Sequence, residues 1–241
     1  MRRDVAGSVF LALVCVASAP GSELITNGGF ETGSLSGWTL TSQTGSFSGS
    51  GFFVTGGTTA PVSGAPTAGP ASGTKYAVSD QAGPATEILS QAFTAPGPAS
   101  SLIVSFSLFV NTYGGIEINP AGLDYTAVAN QYARVDLLQA GSSLFTVGPG
   151  VLQNFYSGAD AVSSIPNPYT NYSFNITSLA GGGGTFILRF AEVDNVDVLN
   201  MGVDNVSVNF TPANVPEPSS WVLAASSLGL FAFLSRGPRR R

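Results

Sequence analysis

"SLIVSFSLFV", Ser101 to Val110, places Leu102, Val104, Phe106, Leu108 and Val110 on one side and Ser105 and Ser107 on the other. A period of two sustained over this length marks a strand with one buried face, because successive side chains of a strand point to opposite sides. The pattern recurs downstream. "YARVDLL" (Tyr132 to Leu138) sets Ala133, Val135 and Leu137 inward with Arg134 and Asp136 outward, "TFILRFAEV" (185–193) aligns Phe186, Leu188 and Phe190, and "MGVDNVSVNF" (201–210) aligns Val206, Val208 and Phe210. Gly, Pro, Asn and Ser clusters separate these runs and no long helical period appears, so the body reads as an all-β sandwich. The stretches Gly45 to Gly73 and Gly181 to Gly184 are poor in core formers and are expected to be a long loop region and a tight connection.

The two ends differ from the body. "MRRDVAGSVFLALVCVASAPGS" has a basic start (Arg2, Arg3), an apolar run from Val9 to Val16 and small residues at Ala17 to Ala19, the layout of a secretory signal peptide, taken here as 1–21. The single cysteine, Cys15, leaves with it. A mature chain with neither Cys nor His excludes disulfides, thiol catalysis, histidine general bases and ordinary zinc sites. Between Glu23 and Asn214 only Lys75, Arg134 and Arg189 are basic against twelve acidic residues, a balance that repels phosphate backbones and excludes nucleic acid as a partner. The sandwich domain is assigned to 22–213.

After it comes "VPEPSSWVLAASSLGLFAFLSRGPRRR", Val215 to Arg241. Trp221 to Leu234 is apolar apart from Ser226 and Ser227; at about 1.5 Å per helical residue it covers roughly 21 Å, and a helix over about 219–235 approaches the length of a thinned bilayer. Arg236, Arg239, Arg240 and Arg241 would then stay on the cytoplasmic side. Val215-Pro216-Glu217-Pro218, an apolar helix and a terminal Arg cluster together resemble the PEP-CTERM sorting signal of exopolysaccharide-producing bacteria. The resemblance implies a precursor held at the inner membrane until an exosortase processes it, followed by delivery to the envelope or the extracellular matrix.

The opening "ELITNGGFETGSLSGWTL" and the closing "VDNVSVNF" are similar to the first and last strands of jelly-roll domains of the carbohydrate-binding-module type. The fold expected is therefore a jelly-roll β-sandwich flanked by an N-terminal signal helix and a C-terminal hydrophobic helix.

Two acids draw notice by their phase. Period two puts Asp204 on the inward face of Val206 and Val208, and Glu192 on that of Phe186, Leu188 and Phe190. A buried carboxylate must be paired or hydrogen-bonded. Hard oxygen ligands suit Ca²⁺, and the resemblance implies a structural calcium held by Gly29, Glu31 and Asp204. The alternative has Asp204 capping backbone amides at a turn and Glu31 pairing with Lys75 or Arg189.

A sugar-binding face needs exposed rings. Trp38, Tyr113, Tyr125, Tyr132, Tyr169 and Tyr172 are available, Trp38 being expected in the core; the irregular segment "YGGIEINPAGLDYTAVANQY" makes Tyr113, Tyr125 and Tyr132 the candidate ligand contacts. Glu117 with Asp124 and Glu192 with Asp194 are the nearest carboxylate pairs for glycoside hydrolysis, but neither spacing is diagnostic. The expectation is a non-catalytic protein associated with extracellular polysaccharide, with a carbohydrate-binding module of defined glycan ligand as the first alternative and a glycoside-acting enzyme as the second.

Overall fold

The computed structural model describes residues 21–114, 122–158 and 166–213. Over these the chain forms β1 (Ser22–Glu23), β2 (Thr39–Ser42), β3 (Gly51–Thr55), β4 (Tyr76–Asp80), β5 (Ala85–Ala95), β6 (Ala99–Thr112), β7 (Gln131–Gln139), β8 (Val151–Gly158), β9 (Thr170–Asn175), a one-turn helix α1 (Thr177–Ala180), β10 (Gly184–Asp194) and β11 (Leu199–Pro212). Residues 1–20 of the expected signal segment, Glu117 and everything from 214 onward lie outside the described residues. Among the described residues no helix is long and apolar enough to cross a membrane.

Two antiparallel sheets result. One runs β3-β4-β11-β6-β9 with β1 added to β11, the other β2-β5-β10-β7-β8. From β4 onward each connection passes from one sheet to the other except β7 to β8, which is the jelly-roll arrangement. The quoted strand behaves as its alternation demands: Leu102, Val104, Phe106, Leu108 and Val110 are all buried between the sheets. Phe106 meets Phe190 of the facing sheet edge-on at 5.4 Å, and Trp38 packs on Phe30 and Phe190 at 5.5 and 5.9 Å. Each such fully buried side chain contributes about 1.5–3 kcal/mol.

The expected wet outer faces are largely covered. On the β3-β4-β11-β6-β9 sheet, Tyr76, Val78 and Phe109 form a second apolar cluster under Ala68 and Tyr169. The roof is the stretch from 56 to 75, part of the segment expected to be loop throughout; it does hold β3, because Phe52, Phe53 and Val54 supply a short β-prone run that pairs with β4. On the other sheet Asp136 and Arg189, partners across β7 and β10, are both fully buried: Asp136 lies outward as its phase implied, but the face it lies on is covered rather than wet. The Arg189 guanidinium reaches Asp136 Oδ2 and donates to the carbonyls of Leu144 and Thr146, so the β7–β8 connection lies over this face and takes its hydrogen bonds from it. Arg134 completes the group, donating to both Asp136 oxygens at 3.0 and 2.7 Å.

Candidate functional site

The roof over the first sheet is held by carboxylates. Asp80 Oδ2 accepts from the amides of Val62 and Ser63. Asp204 Oδ2 accepts from those of Ala71 and Ser72 at 2.9 and 3.0 Å. Glu31 Oε1 accepts from those of Thr74 and Lys75 at 2.8 and 2.9 Å, and Glu31 Oε2 from the Thr74 hydroxyl at 2.8 Å. Each carboxylate thus satisfies two consecutive amides that would otherwise need other partners. The amides of Thr74 and Lys75 hold the Glu31 carboxyl below its ordinary range, whereas burial pushes Asp204 up against the pull of its own three amides.

Local backbone explains the aim of these groups. Asn205 sits at φ 52°, in the left-handed region that Asn tolerates better than most residues, and the register of β11 on β6 slips between Asp204 and Ser207. Val203 and Val206 therefore both face the core. The bulge reverses the phase, so Asp204 does not share the inward face of Val206 and Val208 as period two implied; it points to the roofed side, opposite Ser107. Gly28 must be glycine because a Cβ there would lie 1.8 Å from the Val206 carbonyl oxygen, the consequence of Val206 N–H donating to the Gly28 carbonyl at 2.9 Å.

Gly29, Glu31 and Asp204 are indeed brought together: a Cβ on Gly29 would stand 3.9 Å from both Asp204 Oδ1 and Glu31 Cγ. The amide-capping alternative describes Asp204 as found. The pairing offered for Glu31 differs, since it takes the backbone of Lys75 and Arg189 belongs to Asp136. As calcium ligands the donors are hard oxygens, and among the described residues Glu31 Oε2 and Asp204 Oδ1 each accept one hydrogen bond. Calcium takes six to eight oxygens, so the set fits the ion in part. Among the described residues no group of three or more acidic, His or Cys side chains is placed to hold a metal.

The tyrosines do not form a strip. Tyr132 is 1% exposed and part of the core cluster, which removes it as a ligand contact. Tyr125 is half-buried with its hydroxyl on the Thr44 carbonyl, and Tyr113 is half-buried with its hydroxyl near the Pro66 carbonyl. Trp38 is in the core as expected, its indole N–H on the Asn27 carbonyl. Tyr169 packs against Phe109, and Tyr172 stacks on Phe106 at the closed edge of the sandwich.

At one end of the sandwich, where β4 turns into β5 and β10 into β11, Glu192 and Asp194 meet a third carboxylate, Glu87, that the sequence did not announce. Glu87 and Glu192 are directly opposed on neighbouring strands and both fully buried. Ser42 donates to Glu87 Oε2 at 2.6 Å and Ser79, from the facing sheet, to Glu192 Oε2 at 2.8 Å. Their Oε1 atoms have no partner. Asp194 follows, accepting from the Ala85 amide at 3.1 Å and from the Gln81 side chain. With no cation beside them, burial pushes Glu87 up, Asp194 up to about 7, and Glu192 well up with help from the Asp194 charge. Glu192 is therefore inward as its phase required, and its burial favours the protonated carboxyl. Beyond Asp194 a 390 Å³ cavity opens between Gln81–Pro84, Asp194–Val198 and the roof residues Val62 and Ser63.

Among solved structures, the described body is similar to TmCBM61 in complex with β-1,4-galactotriose (12% identity, TM-score 0.46, 78% of this chain and 97% of that one). It is also similar to the K3 cleaved adhesin domain of Lys-gingipain from Porphyromonas gingivalis (15%, 0.47, 80% and 99%) and to the CBM22-1 xylan-binding domain of Paenibacillus barcinonensis Xyn10C (10%, 0.46, 82% and 99%). No curated protein matches the chain. Residues 214–241, with the Pro-Glu-Pro and the arginines, match the PEP-CTERM protein-sorting motif, so the chain carries that sorting segment behind a β-sandwich body.

Proposed function

We propose that this is an exported protein of the bacterial envelope or extracellular matrix, sorted by an exosortase and acting without catalysis through association with exopolysaccharide. The observation that carries the reading is the sorting-motif match at 214–241. In this reading Val215-Pro216-Glu217-Pro218 is the recognition element, the apolar stretch holds the precursor in the inner membrane, and Arg236, Arg239, Arg240 and Arg241 fix its orientation. Burial leaves Glu87 and Glu192 out of reach of a substrate. In a host with an exosortase, Glu217→Ala is expected to stop maturation and leave the uncleaved precursor in the inner-membrane fraction. Normal processing and delivery of this variant would overturn the sorting assignment.

Calcium belongs to the proposal at Gly29, Glu31 and Asp204, where it would add to a clasp already closed by amides. Bound there, it would neutralise two adjacent carboxylates. Asp204→Asn removes a carboxylate that accepts three amide N–H bonds, a loss of about 2 kcal/mol on that account alone. The melting temperature is expected to fall in EDTA and to fall further in Ca²⁺. Equal losses in the two buffers would remove the metal and leave the amide clasp.

The alternative, a module with a defined glycan ligand, is favoured by one observation, the open polar cavity at the end of the sandwich.

A further inference from the structure

We propose that the cavity between the β4–β5 and β10–β11 turns binds one unit of a neutral, hydroxyl-rich glycan, with Gln81 and Asp197 as hydrogen-bond acceptors, Val62 and Val196 as the apolar lining and Phe47 beside the rim at Gly83. This rests on the glycan-associated reading and gives it a site.

The volume, 390 Å³, falls within the range of small-molecule sites. Among the described residues the lining contains two carboxylates and no Lys or Arg. Gln81 is 3% exposed and lines the cavity, and its Oε1 accepts no hydrogen bond although its amide nitrogen is committed to Asp194. A buried acceptor without a donor is costly, and a turn of the Gln81 side chain toward the cavity would let a ligand hydroxyl satisfy it. Asp197 is exposed and uses one oxygen on the Val198 amide. The chemistry on offer is thus mainly acceptor, which selects a donor-rich ligand.

Charge narrows the class. Behind the cavity stand Glu87, Glu192 and Asp80, close enough to act on the Asp194 carboxyl or on one another. Asp197 is exposed in the lining and the described lining residues offer no cation to pair with an acid, so the ligand is uncharged. The rim supplies the apolar part. Phe47 is 49% exposed, with its ring against Gly83, where a Cβ would lie 2.6 Å from the ring; Val62 and Val196 are also exposed large apolar residues and line the cavity. Rings and aliphatic walls take the C–H faces of a sugar while acceptors take its hydroxyls, the usual division of labour in a small-molecule site.

The test is titration of the full chain, purified in detergent, with cellotetraose, xylotetraose and β-1,4-galactotriose, and with trigalacturonate as the charged counterpart. At least one neutral oligosaccharide is expected to bind with a Kd of roughly 1 mM or tighter. Ala82→Trp, at an exposed lining position, should weaken that binding tenfold or more with an unchanged melting temperature. Phe47→Ala should weaken it several-fold, and trigalacturonate should not bind. Neutral binding that survives Ala82→Trp, or trigalacturonate binding more tightly than the neutral set, overturns the site while leaving glycan association intact. A chain that sediments with host exopolysaccharide yet binds none of the neutral oligosaccharides does the same. Failure to sediment with exopolysaccharide tells against the broader reading instead.

Discussion

Replacing Arg189 with Ala is expected to destabilise the protein by about 3–5 kcal/mol, the cost of removing one partner from a buried ion pair. Arg189 is fully buried, and its guanidinium is the donor for Asp136 and for the carbonyls of Leu144 and Thr146. Truncation leaves two covered carbonyls without a donor and a void the size of a long side chain. Asp136 retains Arg134 and the Asn154 side chain, which limits the loss at the carboxylate itself. Arg189→Met, which keeps the stem and loses only the donors, should cost less than Ala. Because the residues form one network, Asp136→Asn combined with Arg189→Met should cost less than the sum of the two single changes. Urea unfolding of the variants measures this. A loss below about 1 kcal/mol for Arg189→Ala would mean that the β7–β8 connection is not held down by this side chain.

The second large effect is a stability that rises as the pH falls from 8.5 to 5, the reverse of ordinary acid denaturation. Asp194 is raised from 3.8 to about 7 by burial, and Glu87 and Glu192 are raised as well. A carboxyl raised in the folded state holds its proton there more tightly than in the unfolded chain. Its contribution is complete below the unfolded value, near 4, and is lost as the pH climbs through the folded one. For Asp194 alone the difference amounts to about 4 kcal/mol between the two limits, or roughly 10 °C in melting temperature for a domain of this size. Glu31 and Asp124, both held below their ordinary values, act in the opposite sense only at more acidic pH. Glu192→Gln should flatten the profile, raising the melting temperature at pH 8.5 and changing it little at pH 5. A wild-type protein that loses stability steadily from pH 8.5 to 5 would show that these carboxyls are ionised in the fold.

Alternation in Leu102 to Val110, in Ala133 to Leu137 and in Phe186 to Phe190 made the strands and their inner faces legible, because period two depends only on neighbours in the chain. What covers the outer faces depends on residues far away. Asp136 looks like a solvated strand residue until Leu144 and Thr146, on the connection that follows, fold back to meet Arg189. Tyr132 in a polar segment looked available to a ligand, yet it is buried in the core cluster. The bulge at Asn205 carried only a weak local sign, an Asn that tolerates a left-handed conformation, yet it decides which way Asp204 points. The clasp residues Gly29, Glu31 and Asp204 were found together through a resemblance. Their main partners, the amides of residues 71–75, have no side-chain signature at all. The cavity was invisible because Gln81, Asp194 and Asp197 occupy two turns over a hundred residues apart in the chain that only the jelly-roll crossing brings to one end.

The central claim is export followed by association with exopolysaccharide, and fractionation of the producing bacterium tests it most directly. The protein should be followed in the wild type, in a strain lacking the exosortase and in one lacking exopolysaccharide. The account predicts mature protein sedimenting with the polysaccharide in the wild type, uncleaved precursor in the inner membrane without the exosortase, and mature protein free in the medium without the polysaccharide. The same distribution in all three strains would contradict it.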